Sequence, residues 1–247
     1  MAHLQALIFD VDGTLADTEG AHLAAFNQAF ASADLPWRWD ESLYISLLEV
    51  SGGKERMAHY LAHHLKRHPG HDSLPAAGGS PAMSPDFDAL HAIKTTAYTQ
   101  QMRAGALALR PGIEAIIATA QEAGLRLAIA TTTTESNIDA LLRPRLGADW
   151  SQRFEVIEHA GTAPRKKPDP QVYRQTLQRL GLAATACLAI EDSANGLQAA
   201  LGAGIATIIT PNPFTAHHNF KGALRILPSL ESTAIADLHR WHADATR

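Results

Sequence analysis

Ala6-Leu7-Ile8-Phe9-Asp10-Val11-Asp12-Gly13-Thr14 is the stretch that decides the fold. Four apolar residues in succession describe a strand buried on both faces, as in a parallel sheet covered by helices. The polar residues that follow fall at its carboxyl end, where open α/β sheets bind their ligands. Asp10 and Asp12 are two apart and point the same way along an extended chain. Side by side, two carboxylates repel, and Mg²⁺, which prefers oxygen ligands, would compensate them. Gly13 lets the chain turn closely around whatever sits there. Alone, such an Asp-x-Asp pair describes equally well a strand end with capping acids.

Further buried-strand patterns lie at 125–130, 187–190 and 205–209, with a weaker one at 154–157. Helical patterns separate them. One covers 113–123, opened by Pro111 and closed by Gly124; another starts at 137–142 and is interrupted by Pro144; two more, 170–180 and 193–203, end before Gly181 and Gly204. This alternation predicts an α/β fold, a doubly wound, mainly parallel Rossmann-like sheet. Residues 17–105 lack buried strands and read as helices at 18–33, 54–68 and 84–104, with a Gly/Pro/Ser-rich surface loop at 69–85. The expected organisation is a catalytic core of 1–16 and 106–247, with 17–105 inserted as a helical cap domain hinged near Ala16 and Gly105.

The 247 residues, 46% of them apolar, suit one large domain or two smaller ones. A net charge of -4 without a long basic run argues against nucleic-acid binding. One cysteine excludes an intrachain disulfide framework and any multi-cysteine metal site. Its place inside the strand at 187–190 predicts a core residue, and His63-His64 and His217-His218 lack partners at metal spacing and read as surface. No run approaches the roughly 18 apolar residues of a membrane span. The strand pattern beginning at Leu4 leaves no room for a targeting peptide, so a cytoplasmic protein is expected.

Three more groups fall at predicted carboxyl ends or in the loops leading away from them: Thr131, which opens a run of four threonines; Lys167, in Lys166-Lys167-Pro168-Asp169-Pro170; and Glu191-Asp192. Each residue type has a part in phosphoryl transfer. A carboxylate can form an aspartyl phosphate, Mg²⁺ and Lys can neutralise the phosphoryl oxygens, and a second carboxylate can serve as acid and base. In this order the four groups resemble the four motifs of the haloacid dehalogenase superfamily, across nearly the whole chain. The family's helical cap falls between its first and second motifs, as here.

The resemblance implies that Asp10 attacks phosphorus and that Asp12 is the general acid and base. It implies that Thr131 and Lys167 hold the phosphoryl group, and that Mg²⁺ sits on the Asp10 carboxylate, the Asp12 main-chain carbonyl and Asp192, with Glu191 nearby. A dehalogenase usually lacks an Asp at the position of Asp12, which favours phosphoesters. Related ion pumps need membrane helices. Ser193 and Asn195 are expected to support or cap the following helix.

Substrate choice belongs to the cap. Asp17, Glu19 and His22 flank the first motif, and Glu19 and His22 share a helix face. Gly52-Gly53-Lys54-Glu55-Arg56 places two cations at a helix start, and Lys94 lies on the last cap helix. With Thr132, these residues form the expected substrate-binding set, suited to a second anion besides the transferred phosphoryl group. They are similar to the CbbY-type branch of the family. That resemblance implies a monomeric phosphatase of sugar bisphosphates, with xylulose-1,5-bisphosphate, a Rubisco inhibitor, as the characteristic substrate. Two departures are the long 69–85 loop and Asp17, where that branch more often has Glu. The alternatives are a sugar phosphate mutase resembling β-phosphoglucomutase, a phosphoglycolate-type phosphatase and, outside enzymes, an idle sugar phosphate sensor.

Overall fold

The computed structural model describes residues 3–64, 85–105 and 107–245. The predicted 69–85 loop, apart from residue 85, lies outside them, as does the end of the helix expected at 54–68.

Six strands form one parallel sheet: β1 (Ala6–Phe9), β2 (Arg126–Ala130), β3 (Val156–Glu158), β4 (Cys187–Glu191), β5 (Ala206–Ile209) and β6 (Arg225–Ile226), in the order β3-β2-β1-β4-β5-β6. The connecting segments carry α5 (Ile113–Glu122), α6 (Glu135–Leu146), α7 (Gln171–Leu180) and α8 (Ala194–Gly202), and α9 (Ile235–Ala245) ends the described chain. Every β1 side chain is buried. Leu7 and Phe9 join the cluster under α5, α6 and α9, whereas Ala6 and Ile8 join that under α7 and α8. This is why the run shows no alternation of polar and apolar residues.

Because β1 pairs with both β2 and β4, it is central. Phe9 stands level with Ile129 and Ile190, so the residues following the three strands arrive together at one edge. Asp10, Thr131 and Asp192 meet by register, not by sequence proximity.

Between β1 and α5 the described chain is helical: α1 (Glu19–Ser32), α2 (Glu41–Leu47), α3 (Gly53–His63) and α4 (Phe87–Arg103). This insert has its own aromatic-rich core of Phe26, Phe30, Trp37, Trp39, Tyr44 and Tyr60 with neighbouring aliphatic residues. Helix α2 and strand β6 were not predicted; one is seven residues long and the other two, too short for periodicity to register.

One local expectation is corrected, and a second holds for one of its two residues. Helix α6 runs through Pro144 to Leu146. Buried Leu141, Leu142 and Leu146 hold this last turn on the core although proline removes one ladder hydrogen bond. At α8 the capping side chain is Ser193, whose Oγ accepts from the Gly196 N–H at 3.1 Å. Asn195 instead donates to the Glu49 carbonyl of the insert at 3.1 Å.

Candidate active site

The carboxyl edge of β1, β2 and β4 faces the insert across a cavity of about 470 Å³. Its floor is a buried cluster around one ammonium. Lys167 Nζ donates to Asp10 Oδ1 at 2.6 Å, to Glu191 Oε1 at 2.5 Å and to the Ala130 carbonyl at 2.9 Å. Tyr173 OH donates to the same Glu191 oxygen at 2.6 Å. Asp192 accepts from Asn212 Nδ2 at 2.8 Å. Thr131, buried, takes the Thr133 N–H on its Oγ1 at 3.3 Å.

Charge on this floor does not balance. Oxygens of Asp10, Glu191 and Asp192 lie within 4.8 Å of one another, with Lys167 as the ammonium paired among them. Burial, and then the neighbouring carboxylates, push Asp192 well above the usual range. Asp10 is pushed up to about 7 by burial, which outweighs the pull of Lys167 and is reinforced by Glu191 and Asp12. Fully ionised, three carboxylates against one ammonium would leave two negative charges, and all the free donors are oxygens. That set fits Mg²⁺. The Asp12 carboxylate, expected near the ion only through its main-chain carbonyl, is absent from this group.

Asp12 turns toward the insert. Its Oδ1 lies 3.0 Å from His22 Nε2, and Lys94 Nζ lies 2.7 Å from His22 Nδ1. A charged Lys94 must donate, so His22 accepts on Nδ1 and donates from Nε2 to Asp12. Burial alone would raise Asp12, but His22, Thr18 and Lys94 outweigh it and hold the carboxyl well below its usual range. His22 also stacks on Tyr98, with ring centroids 4.1 Å apart.

The expected substrate residues separate on inspection. Glu19, His22, Gly52, Gly53, Lys54, Arg56, Lys94 and Thr132 all line the cavity. Arg56 is largely committed: its Nε, Nη1 and Nη2 donate to the Leu47 carbonyl, Tyr44 OH and the Val50 carbonyl at 3.1, 3.0 and 3.2 Å. Tyr44 OH in turn donates to Glu19 at 2.6 Å. Lys54 pairs with Asp88 but keeps half of its side chain exposed. Asp17 is a correction. It pairs with Arg110 Nε at 3.1 Å, points largely to solvent and does not line the cavity. Buried Arg110 also gathers the carbonyls of Gly13, Thr210 and Pro211 at 2.7, 2.5 and 2.8 Å, and this draws Asp17 away.

Sequence reasoning missed several residues. Lys166 and His91 line the cavity, and Lys166 Nζ donates to the Thr132 carbonyl at 3.3 Å. Burial, then Lys94, Lys54 and Lys166, lower His91 to about 4. His91 was legible as a partner of Lys94, three residues away on one helix face. Tyr173 and Asn212 carried no local signal. His218, read as surface, accepts the Ala194 N–H at 3.2 Å and lines the cavity. Among the described residues, no helix is long and apolar enough to cross a membrane.

Comparison with known proteins accords with this geometry. Residues 4–204 match the family model of haloacid dehalogenase-like hydrolases. The CbbY protein of Cupriavidus necator is 56% identical, over 96% of this chain and 93% of that protein. The crystal structure of CbbY from Rhodobacter sphaeroides in complex with phosphate is 42% identical, with a TM-score of 0.84 over 95% of this chain and 99% of that one. A mutant of the same protein, in complex with xylulose-(1,5)bisphosphate, is 41% identical with a TM-score of 0.85 and the same coverage. The chain belongs to the haloacid dehalogenase-like hydrolases, and it is a phosphatase of that family.

Proposed function

We propose that this phosphatase hydrolyses a sugar bisphosphate, xylulose-1,5-bisphosphate foremost, to the sugar monophosphate and inorganic phosphate. The observation that carries the reading is the two-ended cavity. One end is the Asp10–Lys167 floor; the other is a wall bearing Lys54, Lys94, Lys166 and His91. A phosphomonoester needs the first end alone, and a second phosphate gives the wall its occupant. The similarity to a protein crystallised with xylulose-(1,5)bisphosphate points to the same substrate.

In this reading Asp10 attacks the phosphorus, and the ester oxygen departs with the sugar monophosphate. Lys167 and Thr131 hold the phosphoryl oxygens. Water then attacks the aspartyl phosphate and releases phosphate and Asp10. The carboxylates of Asp10 and Asp192, with Glu191 nearby and the Asp12 carbonyl as a further donor, would hold Mg²⁺, which would supply positive charge to the phosphoryl oxygens. Asp12, carrying a proton once it is free of His22, gives it to the leaving oxygen and regains one from the water. For either task it must leave His22, so movement of the insert couples to the chemistry. Residues 17–105 act as the cap, and Glu19 and the Gly52-Gly53 segment contact the sugar bisphosphate. The second phosphate lies between Lys54, Lys166 and His91, because Arg56 already serves the insert's own carbonyls.

The experiment is phosphate release with Mg²⁺ from xylulose-1,5-bisphosphate, beside ribulose-1,5-bisphosphate, β-glucose-1-phosphate and phosphoglycolate. A kcat/KM for xylulose-1,5-bisphosphate at least tenfold above the others is expected. Equal or lower values would remove the substrate assignment and leave the phosphatase.

A further inference from the structure

We propose that Tyr173 is a positioning residue for phosphoryl transfer: its hydroxyl holds the Glu191 carboxylate, and through it sets the Lys167 ammonium beside Asp10. The proposal rests on reading Asp10 as the nucleophile.

Lys167 Nζ has three donors, and all three are in use, on Asp10, Glu191 and Ala130. An ammonium shared by two buried carboxylates sits where their attractions balance. Glu191 Oε1, at 2.5 Å, competes with Asp10 Oδ1, at 2.6 Å, for the same charge. The Tyr173 hydroxyl donates to the competing oxygen, at 2.6 Å, and so absorbs part of its negative charge. Without that hydrogen bond Glu191 would draw Lys167 toward itself and away from the phosphoryl oxygens.

The fold makes the contact rigid. Tyr173 lies in the first turn of α7, fully buried among Val172, Leu180 and the β1–β4 side chains. Its ring faces the ammonium at 5.2 Å from the centroid, a second stabilising contact for the cation. Across the carboxylate stands Gly196, where even a Cβ would strike Glu191, so the acid cannot swing away from the tyrosine on that side. A ring alone would fill the space in the core. The hydroxyl is needed for Glu191.

Tyr173→Phe keeps the ring and removes the hydroxyl. We expect kcat with Mg²⁺ to fall about tenfold, the scale of one hydrogen bond to a charged group, with KM within twofold and Tm lower by about 3–12 °C, the share of that one bond. A residue that merely fills the core would not give the next result. In a Glu191→Gln background the charge to be screened is gone, so adding Tyr173→Phe should change kcat less than twofold. The parent and the three variants are also titrated with orthovanadate by calorimetry, which closes the same cycle for any variant too slow to assay. Equal losses in both backgrounds, an unchanged kcat in Tyr173→Phe, or a rise in KM with kcat preserved would each overturn the proposal. Full turnover in Asp10→Asn would instead overturn the nucleophile assignment on which it rests.

Discussion

Gly196→Ala sets two effects against each other, and the structure decides between them. Gly196 is the third residue of α8, and alanine in a helix is ordinarily favoured over glycine by about 1 kcal/mol. Here the added Cβ falls on the Glu191 carboxylate, and since ordinary contact begins at 3.4 Å the acid must retreat by more than about 1 Å. That movement breaks the hydrogen bonds from Lys167 and Tyr173 to Glu191. Each bond to a charged group is worth about 1.5–3 kcal/mol, so the net loss is about 2–5 kcal/mol. In a chain of this size each kcal/mol moves Tm by about 2–4 °C, and a fall on the order of 10 °C follows. Turnover should fall at least tenfold, because Lys167 follows the displaced acid. Circular dichroism melting and phosphate release read the two effects separately. Gly20→Ala in α1, with nothing within 4 Å of its Cβ, is the control and should be neutral or stabilising. A Gly196→Ala protein as stable as the parent, with turnover within twofold, would refute the crowding argument.

Asp10→Asn should abolish turnover and Asp12→Ala reduce it at least a hundredfold, with folded far-ultraviolet spectra in both; activity in purified Asp10→Asn would contradict the covalent route. Lys166→Gln should raise KM for the bisphosphate about tenfold and leave KM for a simple monoester within twofold, in steady-state phosphate release. Lys94 is lowered to about 8 by burial, opposed by Asp12 and Glu19 and assisted by Arg56. It is charged below that pH and neutral above it, so kcat/KM for an anionic substrate should fall as pH rises through about 8, and Lys94→Arg should move that limb upward. The same folded pKa lies below the unfolded 10.5, so the unfolded chain binds the extra proton and this group's contribution to stability increases between those values.

The core was legible because its signals are local and its geometry follows from register. Phe9-Asp10, Ala130-Thr131 and Glu191-Asp192 each place the polar residue of the cavity directly after a buried run, and parallel pairing aligns the three runs. The insert was legible only as helices and cations. Its side chains are disposed by tertiary packing that no spacing records. Lys54 is turned to Asp88, Arg56 to three acceptors of its own segment, and Asp17 to Arg110, 93 residues further on. Tyr173 and Asn212 act through Glu191 and Asp192 from 18 and 20 positions away, distances at which only the fold can bring them together.

The two ends of the cavity carry opposite imbalances, and this relates the site's stability to its function. The floor gathers three carboxylates around one ammonium, so that burial raises both Asp10 and Asp192. The wall gathers Lys54, Lys94 and Lys166 around His91, so that burial and those charges lower His91. The buried floor costs folding energy that apolar side chains of the same volume would recover, since unpaired buried charge is destabilising, whereas at the wall Lys54 is half exposed and paired with Asp88. On the floor, pairing with Lys167 does not remove the excess. Asp12 is held by His22, which in turn engages Lys94 of the wall. A divalent cation would offset the floor's excess, and the second phosphate of a doubly phosphorylated ligand would meet the cations of the wall. The contact with His22 would then be free to break, which returns Asp12 to the reacting end of the cavity.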